Sequence, residues 1–195
     1  MAQENNSQNL YQSLWNAADI LRGKMDANEY KSYLLGLIFY KHLSDKLLLE
    51  VCDDLDEPFE SLAQAQALYE ASLADEDLRD DLLEDLSDVL GYTMAPQLTF
   101  TALVSKVYTS DFQLEDLAQG FRDIEQSNEI FENLFEDIDL YSKRLGPTPQ
   151  KQNQVISELI KELNELNLSD HDGDILGDAY EYLIGQFASD SGKKA

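Results

Sequence analysis

The chain has 195 residues, of which 39 are acidic and 14 basic, giving a formal net charge of −25. A chain of this length can bury a core of its own. Its acidity argues against a free-standing nucleic-acid binder, because non-specific DNA affinity comes mainly from lysine and arginine. The single cysteine, Cys52, excludes an intramolecular disulfide and suits a reducing compartment. We find no secretory signal and no run near the roughly 20 apolar residues that span a bilayer, so we expect a cytoplasmic protein without membrane contact.

The charges are unevenly distributed along the chain. Residues 51–90 contain fourteen acidic residues and one basic residue, and residues 111–140 contain ten and one. Residues 1–50 contain six acidic and five basic residues. Any DNA contact would therefore come from the N-terminal helices or from partner chains, and in the N-terminal region we expect Arg22, Lys24, Lys31 and Lys41 to lie near DNA or an acidic partner surface. The simpler interpretation of the acidic stretches is that they are solvated helix faces.

Local signals in the first fifty residues predict two helices. An apolar stripe with helical spacing runs from Leu10 to Leu21, and Gly23 is suited to end that helix. Asp26 and Glu29 have the spacing of a capping box, which predicts that a new helix begins near residue 27. This helix is apolar nearly all round in its middle, so we expect a long, buried, central helix over about residues 27–51.

The later segments also read as helices. Acidic amphipathic helices are predicted over 59–73 and 76–90, the second with Leu78, Leu82, Leu86, Val89 and Leu90 facing inward. Further helical patterns follow over 101–108, from residue 114 to a break at 127–128, from there to about 145, from a turn at 146–149 onward, and over 176–188. Helix follows helix throughout, so we predict an all-α fold, an irregular bundle of roughly seven to eight helices around the central one.

One segment has part of the spacing of a calcium-binding loop. Asp170, Asp172, Asp174 and Glu181 occupy the first, third, fifth and twelfth positions of an EF-hand, but the required sixth-position glycine is replaced by Ile175. We therefore interpret this segment as an acidic turn before a helix. We expect no metal site in the chain.

The remaining reactive side chains do not form a catalytic pattern. His42 and His171 are far apart in sequence and neither belongs to a cluster with ligand spacing. His42 is expected at a surface or interface, and Cys52 as a small buried side chain. We predict no catalytic residue in this chain.

Three blocks resemble the modification (M) subunits of type I restriction-modification systems. LWNAADILRG at residues 14–23 and YKSYLLGLIFYKHLSD at 30–45 resemble the opening of the helical N-terminal domain in that family. LGDAYEYLIG at 176–185, followed by GKKA, resembles the junction with the methyltransferase domain. The resemblance implies a helical N-terminal domain over 1–188, with 189–195 beginning the linker to a catalytic domain absent from this chain.

The resemblance also implies a function for the parent protein. Members of the family transfer a methyl group from S-adenosylmethionine to adenine N6 in DNA. Two M subunits assemble with one specificity subunit and can recruit restriction subunits, and the N-terminal domain serves assembly and DNA clamping. The cofactor loop and the Asn-Pro-Pro motif of such enzymes do not occur in residues 1–195, so we expect no cofactor-binding residue here and no activity from this chain alone. The alternative is a free-standing acidic adaptor or DNA mimic that binds a basic partner.

Overall fold

The structure, a computed structural model, describes residues 2–166 and the single positions 177, 181, 182 and 185, with side chains from residue 9 onward. Its described part contains seven α-helices and no strand, which confirms the all-α prediction. They are α1 Ala2–Leu21, α2 Ala27–Asp54, α3 Leu62–Ala74, α4 Glu76–Leu90, α5 Phe100–Thr109, α6 Leu114–Ser127 and α7 Pro149–Asn164, with 3₁₀ turns at Pro96–Leu98 and Glu129–Phe131. None of these helices could cross a lipid bilayer.

The chain divides into two compact units, and the long helix α2 contributes to both. The terminal unit comprises Met1–Phe39 and Glu136–Ala195, and the central unit comprises Tyr40–Phe135. The predicted domain limit at residue 188 and the linker at 189–195 lie outside the described residues, as do the acidic turn and His171. The final predicted helix is described only at four positions, all of them helical.

In the terminal unit, α1 packs against α7. Both helices contribute buried aliphatic side chains, and the amide of Asn16 donates a hydrogen bond to the Glu162 carboxylate at 2.9 Å. Helix α7 begins as its sequence predicts, with Thr148 accepting from the backbone N–H of Lys151 and Pro149 in the first turn. The buried apolar side chains of this unit include Leu14, Leu21, Leu34, Leu37, Ile38, Ile156, Leu159, Ile160 and Leu163.

In the central unit, buried tyrosines bind backbone carbonyls, two in the connection between α4 and α5 and one within α2. The hydroxyls of Tyr40, Tyr69 and Tyr92 donate to the carbonyls of Leu98, Met94 and Leu43 at 2.5, 2.6 and 2.8 Å. Each bond satisfies a polar group that would otherwise be costly to bury. An aromatic cluster completes this core, with Phe121 and Phe135 stacked at 4.1 Å and Tyr40 edge-on to Phe121 at 5.4 Å.

Two local predictions are wrong. The segment after residue 128 is a 3₁₀ turn followed by turns through residue 145, rather than a helix. Asn133 adopts a left-handed conformation (φ 60°), and the backbone N–H of Phe135 donates to the Glu125 carboxylate instead of a carbonyl one turn earlier. In α4, only Leu82 and Leu86 are buried, whereas Leu78 and Val89 are exposed.

Candidate functional site

The start of α2 is built by its capping box. Asp26 accepts hydrogen bonds from the backbone N–H groups of Asn28 and Glu29 at 3.1 and 3.2 Å. The Glu29 carboxylate accepts in return from the backbone N–H of Asp26 at 3.2 Å. Gly23 precedes it with φ 87°, a conformation that glycine adopts without strain. The predicted helix start is thus confirmed, and it sets the direction in which the side chains of the first turns of α2 project.

A cleft of about 260 Å³ lies beside this helix start, within the terminal unit. Its walls are Met25, Asn28, Glu29, Ser32 and Tyr33 on one side and Asp137, Ser142 and Arg144 on the other. The Tyr33 hydroxyl donates to the backbone carbonyl of Asp139 at 2.5 Å. Burial raises the pKa of the Tyr33 phenol, and the nearby Asp139 carboxylate adds to the shift. Tyr33 is therefore a neutral hydrogen-bond donor that fixes the far wall of the cleft.

An ion pair crosses the mouth of the cleft. The Arg144 guanidinium binds the Glu29 carboxylate that also caps α2. The two side chains are 57% and 36% exposed. A pair this exposed contributes about 0–1 kcal/mol to stability. Arg144 can therefore exchange Glu29 for another anion at little cost.

Arg144 lines this cleft, and Lys24, Lys31 and Lys143 directly adjoin lining residues in sequence; we call these four cations the basic rim. Lys24, Lys143 and Arg144 are exposed, and Lys31 is half-buried beside the cleft residue Ser32. The segment 141–151 contains three basic residues and no acidic one. This is unusual in a chain with so many carboxylates, although Glu136, Asp137 and Asp139 come just before the segment.

The division into units separates the charges. The central unit, Tyr40–Phe135, contains twenty-three acidic and five basic residues. In the described stretches 2–39 and 136–166 of the terminal unit, ten acidic residues face seven basic ones. A polyanion would therefore be repelled by the central unit and much less by the terminal unit, where the basic rim lies.

Three of the four predicted contact residues lie in the terminal unit. Arg22 pairs with Asp19 at 2.6 Å and places its guanidinium 4.2 Å from the centre of the Trp15 ring. Lys24 is exposed in the α1–α2 connection, and Lys31 follows in the second turn of α2. Arg22 is thus held along α1, while Lys24 and Lys31 belong to the basic rim.

Lys41 was selected as a contact for DNA or an acidic partner, but the structure buries its side chain. It lies in the central unit, is 1% exposed, and pairs with Asp45 at 2.7 Å between Nζ and Oδ2. Its ammonium lies 5.2 Å from the centre of the Phe100 ring. The apolar middle of α2 encloses this lysine, and an acid one turn later neutralises it, so Lys41 offers no charge to a phosphate.

Sequence reasoning missed Arg144 and Lys143. Arg144 meets Glu29 across a separation of 115 residues, which no local pattern reports. A signal was nevertheless present, since 141–151 is acid-free in a strongly acidic chain.

Among the described residues, no three His, Cys, Asp or Glu side chains come together to hold a metal ion. The methyltransferases that the sequence resembles hold S-adenosylmethionine with a glycine-containing loop after a strand, and the described residues form no strand.

The two other reactive groups are structural in this setting. Burial lowers the pKa of His42, and the neighbouring Lys46 charge lowers it further. Cys52 is 1% exposed, and burial raises the pKa of its thiol, with Asp53 and Glu57 adding to the effect. A thiol of this kind is a poor nucleophile near neutral pH. The prediction of a buried cysteine is confirmed.

A family model described as the HsdM N-terminal domain matches residues 10–163. The chain is also 29% identical, over 195 aligned residues, to the type I restriction enzyme MpnII methylase subunit of Mycoplasma pneumoniae, covering 92% of this chain and 35% of that protein. It is 28% identical to the MjaIX methylase subunit of Methanocaldococcus jannaschii, covering 92% of this chain and 31% of that protein. The chain thus spans about a third of the length of these curated relatives.

A solved structure is similar over nearly the whole chain. The crystal structure of the type I restriction-modification system methyltransferase subunit from Streptococcus thermophilus matches with a TM-score of 0.90 and 63% identity. The match covers 95% of this chain and 39% of that one.

Proposed function

The chain belongs to the HsdM N-terminal domain family, and on that premise we propose that it serves as the assembly and DNA-clamping domain of a type I methylase subunit. The parent protein transfers a methyl group from S-adenosylmethionine to adenine N6 in DNA. Its partners are a specificity subunit, a second methylase subunit and a restriction subunit. The relatives named above give no support to a free-standing acidic adaptor or DNA mimic.

The observation that carries the DNA-clamping role is the position of the basic rim. Lys24, Lys143 and Arg144 are exposed in the unit with nearly balanced charge, while the acidic residues concentrate in the central unit. Phosphate contacts of lysine and arginine supply most sequence-independent DNA affinity. The rim therefore holds the duplex backbone without reading its bases.

Phosphate contacts of the basic rim would assist the proposed reaction. An enzyme that modifies a base must turn it out of the helix, which costs a few kcal/mol of stacking and pairing. Phosphate contacts beside the target keep the duplex in place during that step. Arg144 is well suited to it, because a guanidinium can bind a phosphate through two parallel hydrogen bonds.

The DNA role is tested with the natural full-length gene product, assembled with its specificity subunit, on a DNA duplex. Binding is measured by fluorescence anisotropy over a range of salt concentrations for the wild type and a Lys24→Gln/Lys143→Gln variant. Each lost phosphate contact lowers the slope of log affinity against log salt by about 0.9, so we expect a decrease of about 1.8.

The matched control is Lys106→Gln/Lys161→Gln, which removes the same charge outside the rim. Its slope should equal that of the wild type. If the rim variant also keeps the wild-type slope, or if both variants lose the same amount, the rim does not hold DNA.

The enzymatic part is tested separately. The assembled protein is incubated with DNA and labelled S-adenosylmethionine, and the product nucleosides are identified by mass spectrometry. We expect N6-methyladenine from the assembly and no product from residues 1–195 alone. Label in cytosine, or no label with an assembly that binds DNA, contradicts the proposed reaction.

A further inference from the structure

Helix α4 has an apolar stripe that its own unit covers only in the middle. Leu78, Leu82, Leu86 and Val89 recur at helical spacing and share one face. Leu82 and Leu86 are 2% and 0% exposed, whereas 46% of Leu78 and 63% of Val89 are exposed. The stripe therefore continues past the packed core at both ends of the helix.

At the C-terminal end of α4, the helix meets the segment that contains a second exposed apolar residue, Ile130. Gly91 lies against the Asn128 side chain: a Cβ atom added to Gly91 would be 3.2 Å from Nδ2 of Asn128. The Tyr92 and Phe131 rings also meet edge-on, with their centres 5.5 Å apart. Val89 and Ile130 each lie two residues from the Gly91–Asn128 contact, and Ile130 is 76% exposed. Both belong to the central unit. We call this surface, Val89 and Ile130 with the residues beside them, the Val89 patch.

The patch is edged by carboxylates. Asp85 and Asp88 precede Val89 on α4, and Glu129 and Glu132 flank Ile130; all four are exposed. The chain has no lysine or arginine between residues 79 and 106, and none between 122 and 143. Val89 and Ile130 thus stand among sequence neighbours that carry only negative charge, and a partner that covers them is best matched by an apolar side chain with positive charge beside it.

We propose that the Val89 patch docks a basic, amphipathic segment of a partner protein. Charge decides among the possible occupants. A second copy of this chain carries a net charge of −25, so its approach to the acidic edge is repulsive overall even though it has a basic rim, and DNA would be repelled as well. A neutral apolar partner would leave the four edge carboxylates desolvated without counter-charges, which is unfavourable. A segment with lysines or arginines around one or two apolar side chains satisfies both the centre and the edge.

This surface is separate from the proposed DNA contact. It belongs to the central unit, uses no residue of the basic rim, and is suited to a cation rather than a phosphate. Its occupancy can therefore be measured without DNA, and the result does not depend on whether the rim binds DNA.

The test uses the natural full-length gene product together with the protein subunits that co-purify with it. Val89→Cys and Ile130→Cys are made one at a time, with Tyr108→Cys as the matched control, because Tyr108 is as exposed as Val89, at 63%. Maleimide labelling at each position is followed by mass spectrometry, for the purified single chain and for the assembly. A photoactivatable crosslinker on the same cysteines then identifies the peptide that covers them.

We expect labelling of positions 89 and 130 to slow at least ten-fold on assembly and that of position 108 to remain unchanged. Molar salt should restore the labelling, because screening weakens exposed charge pairs. The crosslinked peptide should contain an excess of lysine and arginine. Unchanged labelling at 89 and 130 in the assembly overturns the proposal, as does a crosslinked peptide that is neutral, acidic or from a second copy of this chain.

Discussion

Replacing Asp45 with alanine should strongly destabilise the central unit, because the Lys41 ammonium would then be buried without a counter-charge. The two side chains are 1% and 0% exposed, and Nζ lies 2.7 Å from Oδ2. Breaking a buried pair by removing one partner typically costs about 3–5 kcal/mol. We expect a loss in this range for Asp45→Ala and for Lys41→Ala.

The intact pair should nevertheless contribute little compared with apolar side chains of similar size. Only one carboxylate oxygen is paired, since Asp45 Oδ1 has no hydrogen-bond partner among the described residues. Burial raises the pKa of Asp45, and Lys41 lowers it by less. Desolvation thus outweighs the attraction at this site. We expect Lys41→Met/Asp45→Leu to lie within about 2 kcal/mol of the wild type, or to be more stable.

The measurement is urea unfolding at 25 °C followed by circular dichroism, for the wild type, both single variants and the double variant. The pH dependence provides a second readout. Because the folded pKa of Asp45 lies above its unfolded value, its contribution to stability is full below the unfolded pKa and is lost as the pH rises through the folded pKa. The wild type should therefore gain stability on acidification from neutral pH by more than the double variant does.

Two results would refute this reasoning. One is a loss below about 1 kcal/mol for either single variant, which would mean that water reaches the pair. The other is a double variant that loses the sum of the two single losses, since coupled partners cannot be additive.

Three further substitutions have defined outcomes. Gly120→Ala should cost about 1–3 kcal/mol in unfolding experiments, because its Cβ would lie 2.0 Å from the buried Tyr40 hydroxyl; an equal cost in a Tyr40→Phe background would exclude this clash. Thr148→Ala should cost about 1 kcal/mol in the same assay by removing the cap of α7, and Thr148→Ser should restore most of it. Lys46→Gln should raise the pKa of His42 towards its usual value in an NMR titration, since the Lys46 charge lowers it; an unchanged pKa would show that burial alone is responsible.

The helices that local chemistry specifies were predictable. The start of α2 follows from Asp26 and Glu29, and the start of α7 from Thr148 and Pro149, because each cap is complete within a few residues. Periodicity also places the core face of α1 and the central position of α2. These signals work because a helix satisfies its hydrogen bonds within one segment.

The candidate site was predictable only in part. The charge distribution selects Lys24 and Lys31, which the structure leaves exposed or half-buried, but it also selects Lys41, which the structure buries beside Asp45. An i, i+4 pair of opposite charges has the same spacing on a solvated helix face as inside a core. Burial depends on which elements cover that face, and this information lies elsewhere in the chain.

The sequence by itself determined the all-α class, the helix starts and the family, because each is encoded in short segments read in order. Only the tertiary structure decided that 132–145 is irregular, that Arg144 meets Glu29, and that the apolar stripe of α4 is left uncovered at its ends. The physical reason is the same in each case. A side chain's hydrogen-bond partner, ionic partner and covering surface come from residues distant in sequence, and their free energies exceed the local preferences that a sequence displays.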